Sequence, residues 1–186
     1  AGETEALDGC YFEGLQVSLM SNHGLGFCRD CPDPEAEGGY MHFWASEHGV
    51  KTFSVIGEMV YAVPNDASGP LVNVVGGTVV LANRGGVSFV EKAKYVQEAG
   101  GLALVVVETK GVCTDTFKCS DWLGSAEQGG LAFQDPPEKW EDIHIPVVLV
   151  TDIDGDRLIH SLQLDSIEMP GIGTQKFVPE PNKRRR

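Results

Sequence analysis

Positive charge is scarce in this sequence. Its 14 lysines and arginines stand against 27 aspartates and glutamates, a net charge of −13 at neutral pH. Four of the 14 are the last four residues, Lys183-Arg184-Arg185-Arg186, which leaves 10 basic against 27 acidic side chains for the rest of the chain. An acidic body of this kind argues against nucleic acid as a partner, because phosphate contacts need dense Lys and Arg. The basic end is a local exception and reads first as a solvated terminus, with a targeting signal or docking on an acidic surface as its other readings. Long apolar runs are also missing. None approaches the roughly 20 residues that cross a bilayer. No N-x-[ST] sequon occurs, which removes one mark of secretion without disproving it. The sequence contains no H-E-x-x-H, no G-x-S-x-G and no G-x-x-x-x-G-K-[ST], and Glu47-His48 and His144 stand isolated, so no enzyme is expected. Cysteines number five: Cys10, Cys28, Cys31, Cys113 and Cys119. An odd count leaves at least one unpaired within the chain. Cys113 and Cys119 bracket a short polar loop, Thr114–Lys118, and are the candidate disulfide in an oxidising compartment. The chain begins at Ala1 rather than Met, as expected of a processed or trimmed start, and a removed signal peptide stays open.

What is present is concentrated in Gly77–Gly101. Thr78–Ala82 is a short apolar block rich in β-branched residues and bounded by glycine, the pattern of a strand covered on both faces. Arg84-Gly85-Gly86 breaks it. Ser88 then occupies an N-cap position with Glu91 three residues on, a capping box. Phe89, Val90, Ala93 and Val96 repeat at helical spacing, while Glu91, Lys92, Lys94, Gln97 and Glu98 are assigned to the opposite, polar face. Gly100-Gly101 stops the helix, and Leu102–Val107 resumes as a second buried strand. Strand, helix and strand predict a βαβ unit with parallel strands. The glycine turn lacks the G-x-G-x-x-G spacing of a dinucleotide cradle.

The remaining organisation is coarser. Residues 1–38 read as an N-terminal extension, mostly irregular, with one strand within Cys10–Met20. Tyr40–Ala45 and Thr52–Val63 read as strands. Thr109–Asp142 is long, polar and glycine-rich, with Trp122, Phe133 and Trp140 as isolated aromatic anchors; a loop of that length is often functional. Ile145–Val150 is another apolar strand. Thr151 or Asp152 then caps a short helix carrying Leu158, Ile159 and Leu162, with early acids suited to its positive end. A last strand is expected around Ser166–Met169, and residues 171–186 form an extended tail with the basic end.

Taken together, these elements resemble the protease-associated (PA) domain. The resemblance rests on Gly69-Pro70-Leu71, on Leu81–Phe89 with Arg84-Gly85-Gly86 and Ser88-Phe89, and on Lys92, Ala93, Gln97, Ala99 and Gly100. It continues in Ile145-Pro146-Val147-Val148 and Asp154-Gly155-Asp156-Arg157-Leu158. It spans Gly39–Met169, so residues 39–170 are read as one PA-like domain, similar to small stand-alone members of the family. One departure is Val87, where many members carry a cysteine. The resemblance implies a mixed α/β fold, a β-sheet core partly barrel-like or sandwiched, with short flanking helices. It also implies a non-catalytic role in contacts with proteins or peptides, no cofactor, and a life in the secretory pathway or outside the cell. A cytoplasmic subunit of an assembly is the alternative.

Two ligand patterns compete with that view. Cys28-x₂-Cys31-x₁₀-His42-x₅-His48 approaches a C₂H₂ zinc site, but its middle spacer is short, His42 falls in an expected strand and the finger's helix is missing. Zinc is therefore the weaker reading, and no metal is assigned. Asp152-Ile153-Asp154-Gly155-Asp156 suggests calcium, yet an EF-hand loop needs glycine at its sixth position and Glu at its twelfth. Here glycine is fourth and Gln163 is twelfth, so helix capping is the better account. The expected function is a protein-interaction module displaying the Thr109–Asp142 loop and the N-terminal extension, with Trp122, Phe133 and Trp140 as partner contacts. A structural subunit of a larger assembly is the alternative.

Overall fold

A computed structural model describes residues 14–29, 40–46, 49–73, 75–109 and 141–168. Seven strands form one sheet: β1 (Leu15–Met20), β2 (Gly24–Arg29), β3 (Trp44–Ala45), β4 (Ser54–Tyr61), β5 (Val79–Asn83), β6 (Ala103–Val107) and β7 (Val147–Val150). Their order is β2-β1-β4-β5-β6-β7-β3. β4 to β7 run parallel, whereas β1 pairs antiparallel with β2 and β4, and β3 antiparallel with β7. Two helices are described, α1 (Phe89–Glu98) and α2 (Asp152–Glu168).

One short segment reaches both edges of the sheet. Met41 exchanges two backbone hydrogen bonds with Leu25 of β2, at 2.8 and 3.0 Å. Three residues later, Trp44 and Ala45 pair with Leu149 and Val148 of β7. The sheet is thereby curled into a half-barrel. Gly24 permits this approach: its φ is +120°, and a Cβ there would lie 2.6 Å from the Met41 carbonyl oxygen.

Alternation along the central strands divides the core in two. Val79, Leu81, Val105, Val107, Val148 and Val150 face the concave side, where Leu15, Val17, Leu19 and the α2 residues Leu158, Ile159 and Leu162 join them. Val80, Ala82, Leu104, Val106, Val147 and Leu149 face the other side, under Phe89, Val90, Ala93 and Val96 of α1. Burial on both faces is why these strands read as unbroken apolar runs.

The βαβ unit is present as expected, with β5 and β6 parallel in register. The Ser88 side chain caps α1 by accepting from the Glu91 amide at 3.2 Å. At the other end the Gly101 N–H donates to Val96 and the Gly100 N–H to Gln97, with Gly100 at φ +83°. This is the Schellman arrangement. Thr151 caps α2, its hydroxyl accepting from the Asp154 amide at 3.1 Å.

Four expectations need correction. First, β1 lies within the strand expected over Cys10–Met20, but the chain after it is not irregular: β2 follows and pairs with β1 as a hairpin within the sheet. The glycines of Gly24-Leu25-Gly26-Phe27 hide a strand alternation, and Leu25 is fully buried. Secondly, Ser166–Glu168 continues α2 instead of starting a strand, since no Gly or Pro interrupts the chain between Gly155 and Pro170. Thirdly, Lys92 lies on the buried face of α1. The strand expected over Tyr40–Ala45 is also shorter, a bridge at Met41 and a pair at Trp44–Ala45.

Gly155 sits where α2 meets the end of β6. A Cβ there would fall 1.9 Å from a Val107 methyl. Gly155→Ala should destabilise the fold by about 1–3 kcal/mol through overpacking, and Ser88→Ala by about 1 kcal/mol through loss of the cap. Urea denaturation of each variant measures both; wild-type midpoints would refute the assigned contacts.

Candidate functional site

The carboxyl ends of parallel strands are the usual ligand-facing edge of an α/β sheet. Here that edge gathers the strongest polar groups described. Asn83 closes β5, and its side-chain oxygen accepts from the Tyr61 hydroxyl at 2.6 Å. Its amide donates to Asn65, a buried residue whose own side chain donates to the Ala62 carbonyl. Next along the chain, Arg84 pairs with Glu108 at 2.7 Å. Both side chains are withdrawn from water, at 10 % and 1 % exposure. The Arg84 guanidinium also lies 5.4 Å from the centre of the Phe89 ring. The second Glu108 oxygen accepts from the Thr109 amide at 2.7 Å. One carboxylate thus joins the end of β5 to the point where the chain leaves β6.

A second cation is buried beside this pair. Lys92 rises from the first turns of α1 and is fully inaccessible. Its ammonium donates to the main-chain carbonyls of Asp66 and Gly85. Gly85 and Gly86 take φ of +106° and +81°, a conformation that glycine enters without steric penalty. Burial lowers the Lys92 pKa to about 8, while the charges of Asp66 and Glu91 act in the opposite direction. Burial also pushes the Asp66 carboxyl up, but hydrogen bonds from Ser68 and the Lys92 charge prevail and hold it below its ordinary value.

The long segment between β6 and β7 returns through a second fixture. Gln97, on α1, donates to the Asp142 carbonyl at 2.8 Å and accepts from the His144 amide at 2.7 Å. Its carboxamide pairs with the chain as a neighbouring strand would. Ile143 and Ile145 are buried in the core under α1.

A separate cavity of about 380 Å³ opens where Phe27, Tyr40, Met41 and His42 meet Asp154 and Arg157. Arg157 lies over Phe27 and pairs with Asp154 at 3.2 Å.

The described residues separate the candidates named from sequence. Of the zinc pattern, His42 is exposed and packs edge-on against Trp44, and Cys28 is buried. Cys31 and His48 lie outside the described residues, as do Cys113, Cys119, Trp122, Phe133 and Trp140. Among the described residues no group of three or more His, Cys, Asp or Glu is placed to hold a metal ion. Sequence reasoning missed the Arg84–Glu108 pair and the burial of Lys92. The signal for Lys92 was present: it stands three residues after Phe89 and four before Val96, on the apolar stripe.

The PA domain family model matches residues 55–158, from β4 into α2. The chain belongs to the PA domain family. No curated protein matches the sequence. The matched region of this PA domain contains both glycine-turn cations and both fixtures of the β6–β7 segment. β1 to β3 lie before it and nevertheless complete the same sheet.

Two outcomes follow from the edge. Glu108→Ala leaves Arg84 buried without its counter-charge and should cost about 3–5 kcal/mol, read from urea unfolding; a loss below 1 kcal/mol would show that the pair is solvated. The folded Lys92 releases its proton near pH 8, the unfolded one near 10.5. Unfolding therefore takes up a proton between those values, and this group makes stability rise with pH across that window. The stability of wild type relative to Lys92→Met should accordingly increase from pH 8 to pH 10, and a flat difference would refute the assignment.

Proposed function

We propose that this PA domain is a non-catalytic module that binds a protein or peptide partner. The observation that carries this reading is the commitment of its carboxyl-edge groups to one another: Arg84 to Glu108, Lys92 to two carbonyls, Tyr61 to Asn83 and Ser88 to the helix cap. Groups engaged in this way present shape rather than a nucleophile or a base. Family membership supports the same class of function. We place the partner contact on the segment between Thr109 and Asp142, with Trp122, Phe133 and Trp140 as its anchors, because aromatic side chains dominate binding energy at interfaces. Support comes from the two ends of that segment, which are fixed by Glu108 on one side and Gln97 on the other. A contact surface held at both stems loses less freedom on binding.

We place the protein in the secretory pathway or outside the cell. PA domains occur there, which supports this placement. Among the described residues no helix is long and apolar enough to cross a membrane.

The test is pull-down from the native source with mass spectrometry, followed by titration of the recovered partner. Trp122→Ala and Trp140→Ala should each weaken binding about tenfold or more with unchanged thermal stability. Unchanged binding with lowered stability would overturn the contact role and make these residues supports of the fold.

A further inference from the structure

Lys92 is placed unlike any other described cation. It is fully buried, and both acceptors of its ammonium are main-chain carbonyls from different turns, Asp66 after β4 and Gly85 after β5. The two turns touch: a Cβ on Gly86 would lie 2.9 Å from an Asp66 carboxylate oxygen and 3.2 Å from the Ser68 Cβ. Each turn carries an amide that reports on its shape. The Val87 N–H donates to the same Gly85 carbonyl at 3.0 Å, and the Ser68 N–H donates to the Asp66 carboxylate at 3.1 Å. The ammonium is therefore a tie between two turns and a helix, made at one nitrogen.

We propose that Lys92 is a proton-operated latch that holds the Asp66 turn against the Gly85-Gly86 turn while charged and slackens when neutral. The strength of the tie depends on charge, because hydrogen bonds from an ammonium to carbonyl oxygen are roughly twice as strong as those from a neutral amine. Loss of the proton also deprives the Asp66 carboxylate of its counter-charge. The ionisable groups around the latch are few. Asp66 acts on it from the first turn and Glu91 from its own helix, while Arg84 of the second turn is committed to Glu108. Burial brings the proton equilibrium to about pH 8, within reach of ordinary solution conditions. Deprotonation relieves the folded chain of a buried charge, so local slackening and a gain in global stability accompany each other. The latch stands independently of any partner and is tested without one.

The experiment is an NMR titration of the labelled, full-length protein from pH 6.5 to 11. The Lys92 side-chain resonances should titrate with a midpoint near 8, and the Val87 and Ser68 amide shifts should follow with the same midpoint. Their exchange should rise several-fold beyond the intrinsic dependence on hydroxide. A Lys92 midpoint near the ordinary 10.5 would overturn the proposal, as would amides that stay still while Lys92 titrates. Lys92→Met should abolish the step at Val87 and Ser68; its persistence would assign the step to another group and overturn the latch. If that variant does not fold, the wild-type titration alone decides.

Discussion

Burial of the parallel strands on both faces is the constraint on which this domain depends. β5, β6 and β7 carry apolar side chains on each side of the pleat, and neither side can be left in water. α1 covers one face with Phe89, Val90, Ala93 and Val96. The other is covered by α2 and by the curl of the sheet itself, which brings Leu15, Val17 and Leu19 of β1 over the central strands. The hairpin before the family-matched region is thus part of the core rather than an appendage. The same demand explains Gly24 and Gly155, where backbone approaches backbone or a valine methyl more closely than a Cβ allows.

Electrostatics then distinguishes the carboxyl edge from the remainder of the molecule. The chain as a whole is strongly acidic, yet two of its cations are buried within a few residues of one glycine turn. Both are matched by acceptors of known geometry. Arg84 meets a carboxylate that simultaneously holds the Thr109 amide, and Lys92 meets carbonyls of two turns. Buried ionic groups add little net stability over apolar packing, but removing one member leaves the other stranded. Their effect here is to tie three loops to one another. This is a conformational role, compatible with an edge that meets a partner as a fixed surface.

Much of the fold was legible in local pattern. The apolar blocks of β5, β6 and β7, the Ser88 cap and the Gly100-Gly101 stop all act over short range, and each is where its residues place it. The misread parts depended on distant partners. β2 was obscured because Gly24 and Gly26 break an alternation whose meaning appears only when Leu25 meets Met41. The end of α2 was assigned to a strand because Ser166–Met169 is too short to show a period by itself. Lys92 was placed on the polar face by its charge, although its position on the α1 stripe pointed inward. Of the candidate site, the glycine turn was visible. Its closure by Glu108, Asp66 and Gln97 was not, since those partners lie 24, 26 and up to 47 residues away in sequence from the groups they bind.

The Gln97 carboxamide has an evolutionary consequence. It answers the backbone at Asp142 and His144 with side-chain atoms, and Glu108 does the same at the departing stem. Both stems are sealed by residues that belong to the scaffold, Glu108 at the end of β6 and Gln97 on α1. Lengthening such an excursion adds only a logarithmic entropy term. The stretch can then be exchanged like a cassette, with new length and new side chains, while the strands on either side keep their register. If the proposed contact surface lies in this interval, a lineage that conserves the two sealing residues and rewrites the rest would change what the domain recognises while keeping both stems.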